Sequence, residues 1–313
     1  MFSILICSYN KSRTLRAVLT NLNRWIERPH RPFEVVVIID GSTDDSIRML
    51  ESVRVGYTLK YFLIEHSGLS EARNAGIRQC LGDYVVFCDD DVLLHPDYLE
   101  NLYQSTLLHP SKVHIGNLMN VGKEWSPAII DDLNDLGIAE YAAFDQMQEP
   151  HVFFDASKKL FHFQHRYEDF NPAAWWAVVT GGNLCIPRHL FASYGYFDGN
   201  IKGWGPEDAD LCYRLFKNGV RAVWNEDCLL YHLDHPRNAE ALLESMTRNA
   251  VYFIKKYKKP QELYAYLNFT NGKISLLEFN DLCSELFGMQ KVDVPSFSMS
   301  MKDYSGKEQF LKL

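Results

Sequence analysis

GDYVVFCDDDV, residues 82–92, is the stretch that most constrains the fold of this chain. Its central run, Tyr84 to Cys88, is apolar and lacks helical periodicity, which is typical of a buried strand in a parallel sheet. Asp89, Asp90 and Asp91 follow this run directly. Because adjacent carboxylates raise one another's pKa, a fold rarely gathers three of them without a cation or a set of donors to neutralise them.

Two interpretations of this acidic strand end stay open from these residues alone. Mg²⁺ and Mn²⁺ prefer oxygen ligands, and an ion held by one or two carboxylates completes its shell with water and substrate phosphate. Alternatively, the aspartates form a cap for the helix that His95, Pro96 and Asp97 begin. The patterns elsewhere in the chain have to distinguish a metal site from a helix cap.

Strand and helix patterns alternate along the first third of the chain, which predicts an α/β fold. Such alternation implies right-handed crossovers, a mainly parallel, Rossmann-like sheet and helices on both faces. Ligands of these sheets bind at the carboxyl ends of the strands, where the polar clusters 8–10, 40–42 and 89–91 should converge. The predicted strands are 2–8, 34–40, 58–64 and 83–88, and the predicted helices are 11–27, capped by Asn10, and 69–80.

The second half of the chain is less regular. We expect the segment 126–170 to contain helix and to be the variable, substrate-facing part. WAVVTGGNLCI, residues 176–186, predicts a strand with a glycine pair in its middle, and 187–194 a short helix. GWGPEDADLCYRLFKNG, residues 203–219, predicts a glycine-rich loop and then a helix that starts after Pro206 and stops at Gly219. Residues 220–224 resemble an edge or return strand.

The composition limits the classes of partner. A chain of 313 residues that is 47% hydrophobic can bury a substantial core. Its 40 acidic and 32 basic residues give a net charge of −8, which argues against a nucleic-acid partner. Neither GxGxxG after the first strand nor GxxxxGK[ST] occurs, so the common phosphate-binding loops are missing from the sequence. Any nucleotide must be held by other groups.

The same sequence predicts a cytoplasmic protein. The seven cysteines are scattered and lack zinc-site spacing, which favours a reducing compartment. The first residues show no signal-peptide pattern, and no apolar stretch has the length of a transmembrane segment. The aromatic, lysine-rich region 252–266 leaves two interpretations, a solvated amphipathic helix and a peripheral membrane association.

Taken together, these segments resemble a family-2 glycosyltransferase with the GT-A fold. One mark departs from the family pattern, because Ile39 replaces the first residue of a common double aspartate while Asp40 keeps the second. The block 181–215 is similar to the galactosyltransferase-type carboxyl region of chondroitin-polymerase and polypeptide N-acetylgalactosaminyltransferase relatives. The amino-terminal marks are CSYNKSRTL (7–15), IIDGSTDDS (38–46), SEARNAGI (70–77) and CDDD (88–91).

The resemblance implies a division of the chain into a GT-A domain and a helical C-terminal extension. The GT-A domain would comprise residues 1–250, with a nucleotide-binding half at 1–120 and an acceptor-binding half at 121–250. The extension would comprise residues 251–313.

The resemblance also implies the residues that hold the nucleotide sugar. Tyr9 would stack on the base next to Ser8, and Asp40 would accept the base N–H. Arg73 would face the diphosphate or the base, since its planar donors suit phosphate. A core aromatic, a turn-capping aspartate and a surface ion pair are the competing interpretations of Tyr9, Asp40 and Arg73. The other members of the implied set are Asp89 near the ribose or metal-bound water, Asp90 with its side chain directed elsewhere, and Gly182 and Trp204 at the sugar.

The implied cofactor is Mn²⁺ or Mg²⁺. Asp91 corresponds to the last residue of the family's DXD motif, the direct metal ligand, and His232 is implied as a further ligand. His235 is the rival of His232, and a histidine satisfied within the core is the alternative for both. Imidazole suits Mn²⁺ better than Mg²⁺, so manganese is the first choice.

Glu207 and Asp208 are the implied catalytic pair. An acidic pair in a first helical turn is by itself only favourable to the helix dipole. By the resemblance, Asp208 is the general base and Glu207 binds an acceptor or sugar hydroxyl. Trp204 would offer an apolar face to a sugar ring.

The predicted activity is transfer of a hexose or N-acetylhexosamine from a UDP-sugar to a hydroxyl of a glycan or a glycosylated small molecule, with inversion. Retention, as in N-acetylgalactosaminyltransferases, is the alternative within the same class. A nucleotidyltransferase would need a basic triphosphate loop, for which only Lys11 and Arg13 are present near the first strand. A non-catalytic protein that binds glycans or nucleotide sugars is the alternative outside enzymes.

Overall fold

A computed structural model describes six stretches of the chain and shows nine strands in them. The described residues are 1–23, 32–136, 148–150, 160–161, 171–236 and 238–289. The strands are β1 (Phe2–Ser8), β2 (Phe33–Asp40), β3 (Thr58–Ile64), β4 (Tyr84–Asp89), β5 (Val92–Leu94), β6 (Val113–Val121), β7 (Gln148–Pro150), β8 (Leu184–Pro187) and β9 (Ala222–Leu233).

Ten α-helices accompany these strands within the described stretches. They are α1 (Ser12–Asn23), α2 (Ser46–Ser52), α3 (Leu69–Gln79), α4 (Tyr98–Leu108), α5 (Ser126–Leu136), α6 (His189–Tyr194), α7 (Glu207–Lys217), α8 (Ala239–Lys256), α9 (Gln261–Thr270) and α10 (Leu276–Phe287).

The nine strands form one sheet in the order β3-β2-β1-β4-β8-β6-β9-β5, with β7 paired to β6. The long ladders, β1 with β2 and β4, β2 with β3, and β6 with β9, are parallel. Short antiparallel pairings join β8, β5 and β7 to this frame. The α/β class, the mainly parallel sheet and the first four predicted strands are thereby confirmed. The three predicted polar strand ends, after β1, β2 and β4, lie along one edge because these strands are parallel neighbours.

Close packing fixes α3 against the parallel sheet. Gly76 faces the sheet, and a Cβ placed on it would lie 2.2 Å from Leu5 of β1 and 3.0 Å from Ile38 of β2. Because real side chains never approach so closely, only glycine lets the helix sit at this distance. The SEARNAGI stretch therefore serves packing at Gly76 and presents Arg73 at the carboxyl edge of the sheet.

The prediction that Asn10 caps the first helix is wrong. Asn10 has a φ of 54° and its Oδ1 accepts a hydrogen bond from Thr43 N–H instead. The helix starts at Ser12, whose N–H donates to Asp44 of a different loop. The cap thus comes from a residue distant in the sequence. The helix is described to Asn23, and residues 24–27 of the prediction lie outside the described residues.

The prediction of a strand across residues 176–186 is correct only for its last three residues, which belong to β8. Trp175–Ala177 and Gly181–Asn183 form 3₁₀ turns, and only Leu184–Pro187 is extended. The apolar residues before the glycine pair are buried because they enter a helical core rather than the sheet. The turn at Gly181 arises where its N–H donates to the Asp208 carboxylate instead of to a strand.

The strand predicted at residues 220–224 is the beginning of a longer strand. Residues 222–224 pair with β6 at the start of β9, which continues to Leu233 and lies between β6 and β5 in the sheet. The Asn225–Asp227 irregularity interrupts the apolar pattern, which conceals the length of the strand. Because β9 pairs His232 with both Val92 and Asn120, it carries this histidine to the acidic strand end.

The C-terminal helices pack into an aromatic core with the second half of the chain. The Trp176 ring contacts Tyr213 of α7, Phe253 of α8, Tyr266 of α9 and Phe279 of α10. The predicted boundary between residues 250 and 251 falls within α8. Within the region 252–266, Phe253 and Tyr266 point inward, so these rings are not available to a membrane.

The described helices include none that is both long enough and apolar enough to cross a bilayer. The seven cysteines are free thiols, and all but Cys7 are buried. The segments of 126–170 beyond residue 136 lie mostly outside the described residues, and the helix expected in this region is α5.

We expect Phe253→Ala to lower the free energy of unfolding by about 3–5 kcal/mol, because it empties a fully buried ring site. Urea unfolding measures the loss. Val251→Ala, at an exposed position of the same helix, is the matched control and should change the value by less than about 0.5 kcal/mol. Equal losses in the two variants would contradict a C-terminal core shared with α7.

Candidate active site

A lysine neutralises the acidic end of β4. The Lys11 ammonium donates to Asp91 Oδ2 at 2.7 Å and to Asp90 Oδ1 at 3.1 Å. Asp90 and Asp91 occupy the turn between β4 and β5 and are buried, whereas Asp89 stays partly exposed. The sequence did not reveal this contact, since Lys11 precedes the aspartates by some eighty positions and carried only a weak phosphate signal.

The two buried aspartates differ in acidity. Burial raises the pKa of Asp90 to about 6, although the charge of Lys11 opposes the shift. Burial alone would also raise the pKa of Asp91, but hydrogen bonds from His235 and Lys11 and the charge of His232 hold it below its usual range. Asp91 is therefore the more reliably ionised carboxylate and the better cation ligand.

Two histidines converge on Asp91. His235 Nε2 lies 3.0 Å from Asp91 Oδ2, and His232 Nε2 lies 3.7 Å from Asp91 Oδ1. Potential ligand atoms of the three residues lie within 4.8 Å of one another. His232 Nδ1 is 3.2 Å from Asn120 Oδ1, which selects the tautomer that leaves Nε2 directed at the aspartate. One carboxylate and two imidazoles form a donor set that could hold a divalent metal ion.

The residues expected at the nucleotide base lie on adjoining loops. Both oxygens of the Asp40 carboxylate accept backbone N–H groups, from Ser67 at 2.7 Å and from Gly68 at 2.9 Å. The exposed Tyr9 ring packs on the His66 ring, with centroids 4.4 Å apart. Ser8 is buried at the end of β1. Asp40 thus fixes the loop that begins α3, and Tyr9 leaves one aromatic face outward.

Arg73 joins the acidic strand end to the start of α7. Its Nη1 donates to Asp208 Oδ1 at 2.7 Å and to Glu207 Oε1 at 3.1 Å, and its Nη2 approaches Asp89 Oδ1 at 3.5 Å. The guanidinium is 4% exposed and packs on the Phe197 ring. Residues separated by more than a hundred positions therefore meet through one buried cation.

Glycine at positions 181 and 182 permits this assembly. A Cβ on Gly181 would lie 2.1 Å from Arg73 Nη2, and one on Gly182 would lie 2.9 Å from Asp89 Oδ2. The Gly181 N–H donates to Asp208 Oδ2 at 2.6 Å. Asp208 thus has one oxygen on the guanidinium and one on the backbone, which fixes the orientation of its carboxylate.

The carboxyl groups of α7 share their environment and their protons. Burial, then the charge of Asp208, raises the pKa of Glu207 to about 8. Burial also raises the pKa of Asp208, against the opposing effects of Arg73 and the Gly181 N–H. Glu207 is therefore the carboxyl group of this pair that more readily holds a proton near neutral pH.

Trp204 lies on the loop that precedes this pair, with its ring 39% exposed. Asn249 of α8 holds the loop by donating to the carbonyl groups of Lys202 at 2.8 Å and Trp204 at 3.1 Å. Nothing in the sequence pattern singled out Asn249, because its partners are backbone atoms of a distant loop.

One cleft of about 810 Å³ gathers most of the predicted site. Ser8, Tyr9 and Asp40 are not among its lining residues, but Ser8 and Tyr9 lie in the chain between the lining residues Cys7 and Lys11. The sequence reasoning did not foresee Asn120, Lys123 or the residues of α8 and α9 at this cleft. The predicted residues that line it are Arg73, Asp89, Asp90, Asp91, Gly182, Trp204, Glu207, Asp208 and His232, together with the rival His235.

The sequence profile of Glycosyl transferase family 2 matches residues 3–164, which is more than half of the chain. A second profile, described as the N-terminal domain of galactosyltransferase, matches residues 161–235. The chain therefore belongs to glycosyl transferase family 2 and is a glycosyltransferase. The resemblance stated from its sequence motifs, including the galactosyltransferase-type region, is confirmed.

Curated relatives extend this similarity along most of the chain. A validoxylamine A glucosyltransferase of Streptomyces hygroscopicus subsp. limoneus is 28% identical over 316 residues, covering 94% of this chain and 66% of the relative. A chondroitin synthase of Pasteurella multocida is 25% identical over 268 residues, covering 82% of this chain and 27% of the relative. This chain is thus shorter than either relative.

Solved structures share the fold at lower identity. A mannosyltransferase from Pyrobaculum calidifontis, in complex with GDP-Man and Mn²⁺, has a TM-score of 0.58 at 16% identity over 92% of this chain and 74% of its own. GalNAc-T7 with UDP, GalNAc and Mn²⁺ has a TM-score of 0.57 at 16% identity over 93% of this chain and 55% of its own. The predicted GT-A fold is confirmed.

We expect Glu207→Gln to flatten the pH dependence of stability. The pKa of Glu207 is near 8 in the folded chain against an ordinary value of 4.5. The folded state therefore binds more protons, and this stability is complete below about pH 4.5 and is lost as the pH rises through 8. Urea unfolding should show the native chain losing on the order of 4 kcal/mol more stability than the variant between pH 5 and 9.

Glu51→Gln, at an exposed position of α2, controls for the loss of one negative charge. Its stability curve should run parallel to that of the native chain. If the Glu207→Gln curve is parallel as well, Glu207 does not hold the proton assigned to it here.

Proposed function

We propose that the chain transfers a hexose or an N-acetylhexosamine from a UDP-sugar to a hydroxyl of a glycosylated acceptor, with metal assistance and inversion of configuration. One observation carries the proposal. A single cleft contains the Asp91–histidine set at one side and Asp208 at the other, and Arg73 contacts both Asp89 and Asp208.

Several features support a UDP-sugar as donor. The outward face of Tyr9 would accept the base, and Asp40 lies behind it on the loop that leads to Arg73. GalNAc-T7 is described with UDP and the validoxylamine relative as a glucosyltransferase, and we extend both chemistries to this chain. Lys11 and Arg73 are the cations of the described cleft that lie nearest to the aspartates, so they would bind the diphosphate.

The donor set supports a divalent cation, with manganese preferred over magnesium. Asp91, His232 and His235 would hold it, and Asn120 would orient His232. When bound, the ion would neutralise charge on the departing diphosphate. Both histidines belong to the proposed set of ligands, so His235 is proposed as a ligand beside His232 rather than in place of it.

Asp208 would act as the general base. Its raised pKa makes its carboxylate a stronger base than an exposed aspartate, and Arg73 and Gly181 fix the orientation of the carboxylate. The acceptor oxygen forms its bond to the anomeric carbon while the bond from that carbon to the UDP oxygen breaks. The acceptor proton passes to Asp208. This transfer advances as the new bond forms, so it stabilises the transition state more than the bound donor.

Glu207 would bind a substrate hydroxyl rather than remove a proton. Its raised pKa keeps it protonated near neutral pH, and its buried Oε2 has no hydrogen-bond partner among the described residues. A protonated carboxyl both donates and accepts, which suits a sugar hydroxyl. A protein that only binds glycans would need neither this base nor the metal ligands, so the pair favours an enzyme.

We expect Asp208→Asn and Asp91→Ala to lose activity by different routes. Asp208→Asn should lower kcat by about 10²–10⁴-fold because the base is lost, while UDP binding is retained. Asp91→Ala should weaken UDP binding only when Mn²⁺ is present. A turnover assay measures kcat, and titration calorimetry with UDP, with and without Mn²⁺, and with GDP as the comparison nucleotide, measures binding.

Asp97→Asn, an exposed change before α4, is the control for loss of a carboxylate near the same turn and should leave UDP binding and turnover unaltered. Equal loss of UDP affinity in the Asp208 and Asp91 variants would refute the division of roles. Tighter binding of GDP than of UDP would overturn the choice of donor.

We expect the product to have the opposite anomeric configuration to the donor. The reason is that Asp208 activates the acceptor for direct attack from the face opposite the leaving group. Proton NMR of the first product, recorded before mutarotation of any released sugar, reads the new anomeric coupling. A product with the same anomeric configuration as the donor would refute the inverting mechanism and support a retaining one.

A further inference from the structure

One face of α8 lines the same cleft with apolar side chains. Leu242, Met246 and Ala250 follow one another at intervals of four residues, so they form a stripe along the helix. Each is half-buried rather than buried. Leu267 of α9 lines the cleft in the same way. We refer to these four residues as the apolar wall.

The apolar wall begins beside the candidate base. Ser245 and Asn249 precede Met246 and Ala250 by one residue each, which turns them about 100° around the helix. That neighbouring face holds the Trp204 loop through Asn249. Tyr266, next to Leu267, also lines the cleft, and burial with the charges of Glu207 and Asp208 raises its pKa. The wall and the catalytic pair are therefore adjacent.

The two regions of the cleft differ in chemistry. The donor region presents Lys11, Arg73, the three aspartates and the two histidines. The four residues of the apolar wall have no charge and no hydrogen-bonding side chain, and Tyr266 and Thr270 of α9 add hydroxyl groups beside Leu267. A glycan chain lying on the wall would leave hydroxyl groups without partners, which is costly where water is displaced. Alkyl or aryl groups lose no hydrogen bonds by the same contact, and burial of their apolar surface is favourable.

We propose that the acceptor is amphipathic, with its sugar hydroxyl at Asp208 and an apolar aglycone, alkyl or aryl, on the apolar wall. The inference rests on the proposed function, since it takes Asp208 as the base. It narrows the acceptor from any glycan to a sugar attached to an apolar group. The wall determines acceptor specificity and takes no part in bond making.

The test compares acceptors that share a sugar and differ only in the aglycone. Methyl, octyl and 4-nitrophenyl glycosides of glucose, galactose and N-acetylglucosamine are used below their micelle concentrations, with methyl glycosides of the matching disaccharides as polar acceptors of similar length. UDP-sugars and Mn²⁺ complete the assay. For the sugar that the chain accepts, the octyl or 4-nitrophenyl glycoside should have a KM about tenfold lower than that of the methyl glycoside, at similar kcat. This ratio corresponds to about 1.4 kcal/mol of binding free energy.

Variants locate the effect. Met246→Gln and Leu267→Gln should each remove most of the gain for the apolar glycosides and leave KM for the methyl glycoside and the rate of UDP release without acceptor unchanged. Val251→Gln, on the same helix but exposed outside the cleft, is the matched control and should keep the gain. A lower KM for the octyl glycoside alone identifies a lipid-like aglycone. A lower KM for the nitrophenyl glycoside alone identifies an aromatic aglycone.

If no glycoside is a substrate, a binding measurement tests the proposal instead. Titration of octyl and methyl glucoside into the chain with UDP and Mn²⁺ should show tighter binding of the octyl compound, abolished by Met246→Gln. Equal binding, or a gain only for the disaccharides, overturns the proposal. Failure of the proposed function is separate, because it would appear as absence of UDP binding and of UDP release from every donor.

Discussion

The structure depends on one buried guanidinium. Arg73 is almost inaccessible to solvent, so its charge is stable there only because Asp208 and Asp89 balance it and Glu207 accepts a hydrogen bond from it. These carboxylates come from the end of β4 and the start of α7, and the contact holds the two halves of the site at a fixed distance. Gly181 and Gly182 are part of the same constraint, since any larger residue would occupy the space of the guanidinium or of Asp89.

Much of the fold was predictable because its determinants are local. The buried strands β1, β2 and β4 are mostly apolar runs, and α7 is bounded by Pro206 and Gly219 in the chain itself. The convergence of Asp91, His232 and Asp208 followed from the rule for strand ends and from the family resemblance. The predictions that failed concerned contacts between residues distant in the sequence. Asp44 replaces Asn10 as the cap, β9 runs through a polar interruption, and Lys11 reaches aspartates that are remote in the sequence.

The C-terminal helices complete the acceptor half. Trp176 lies in a 3₁₀ turn of the central region, but its ring is enclosed by side chains of α7, α8, α9 and α10. Through Asn249, α8 also fixes the loop before the catalytic pair. Periodicity predicts that such helices exist and are amphipathic, but not which surface each apolar stripe will cover. That choice is made by the packing of aromatic rings from segments far apart in the chain.

The contact of Lys11 with Asp90 and Asp91 separates folding from ion capture. In structural zinc sites the ligands repel one another or stay unpaired until the ion arrives, so the ion is part of the folding reaction. Here the ammonium already balances the carboxylates within the folded chain. A cation that binds Asp91 must therefore compete with an internal counter-ion, and occupancy of the pocket becomes an exchange of one positive charge for another.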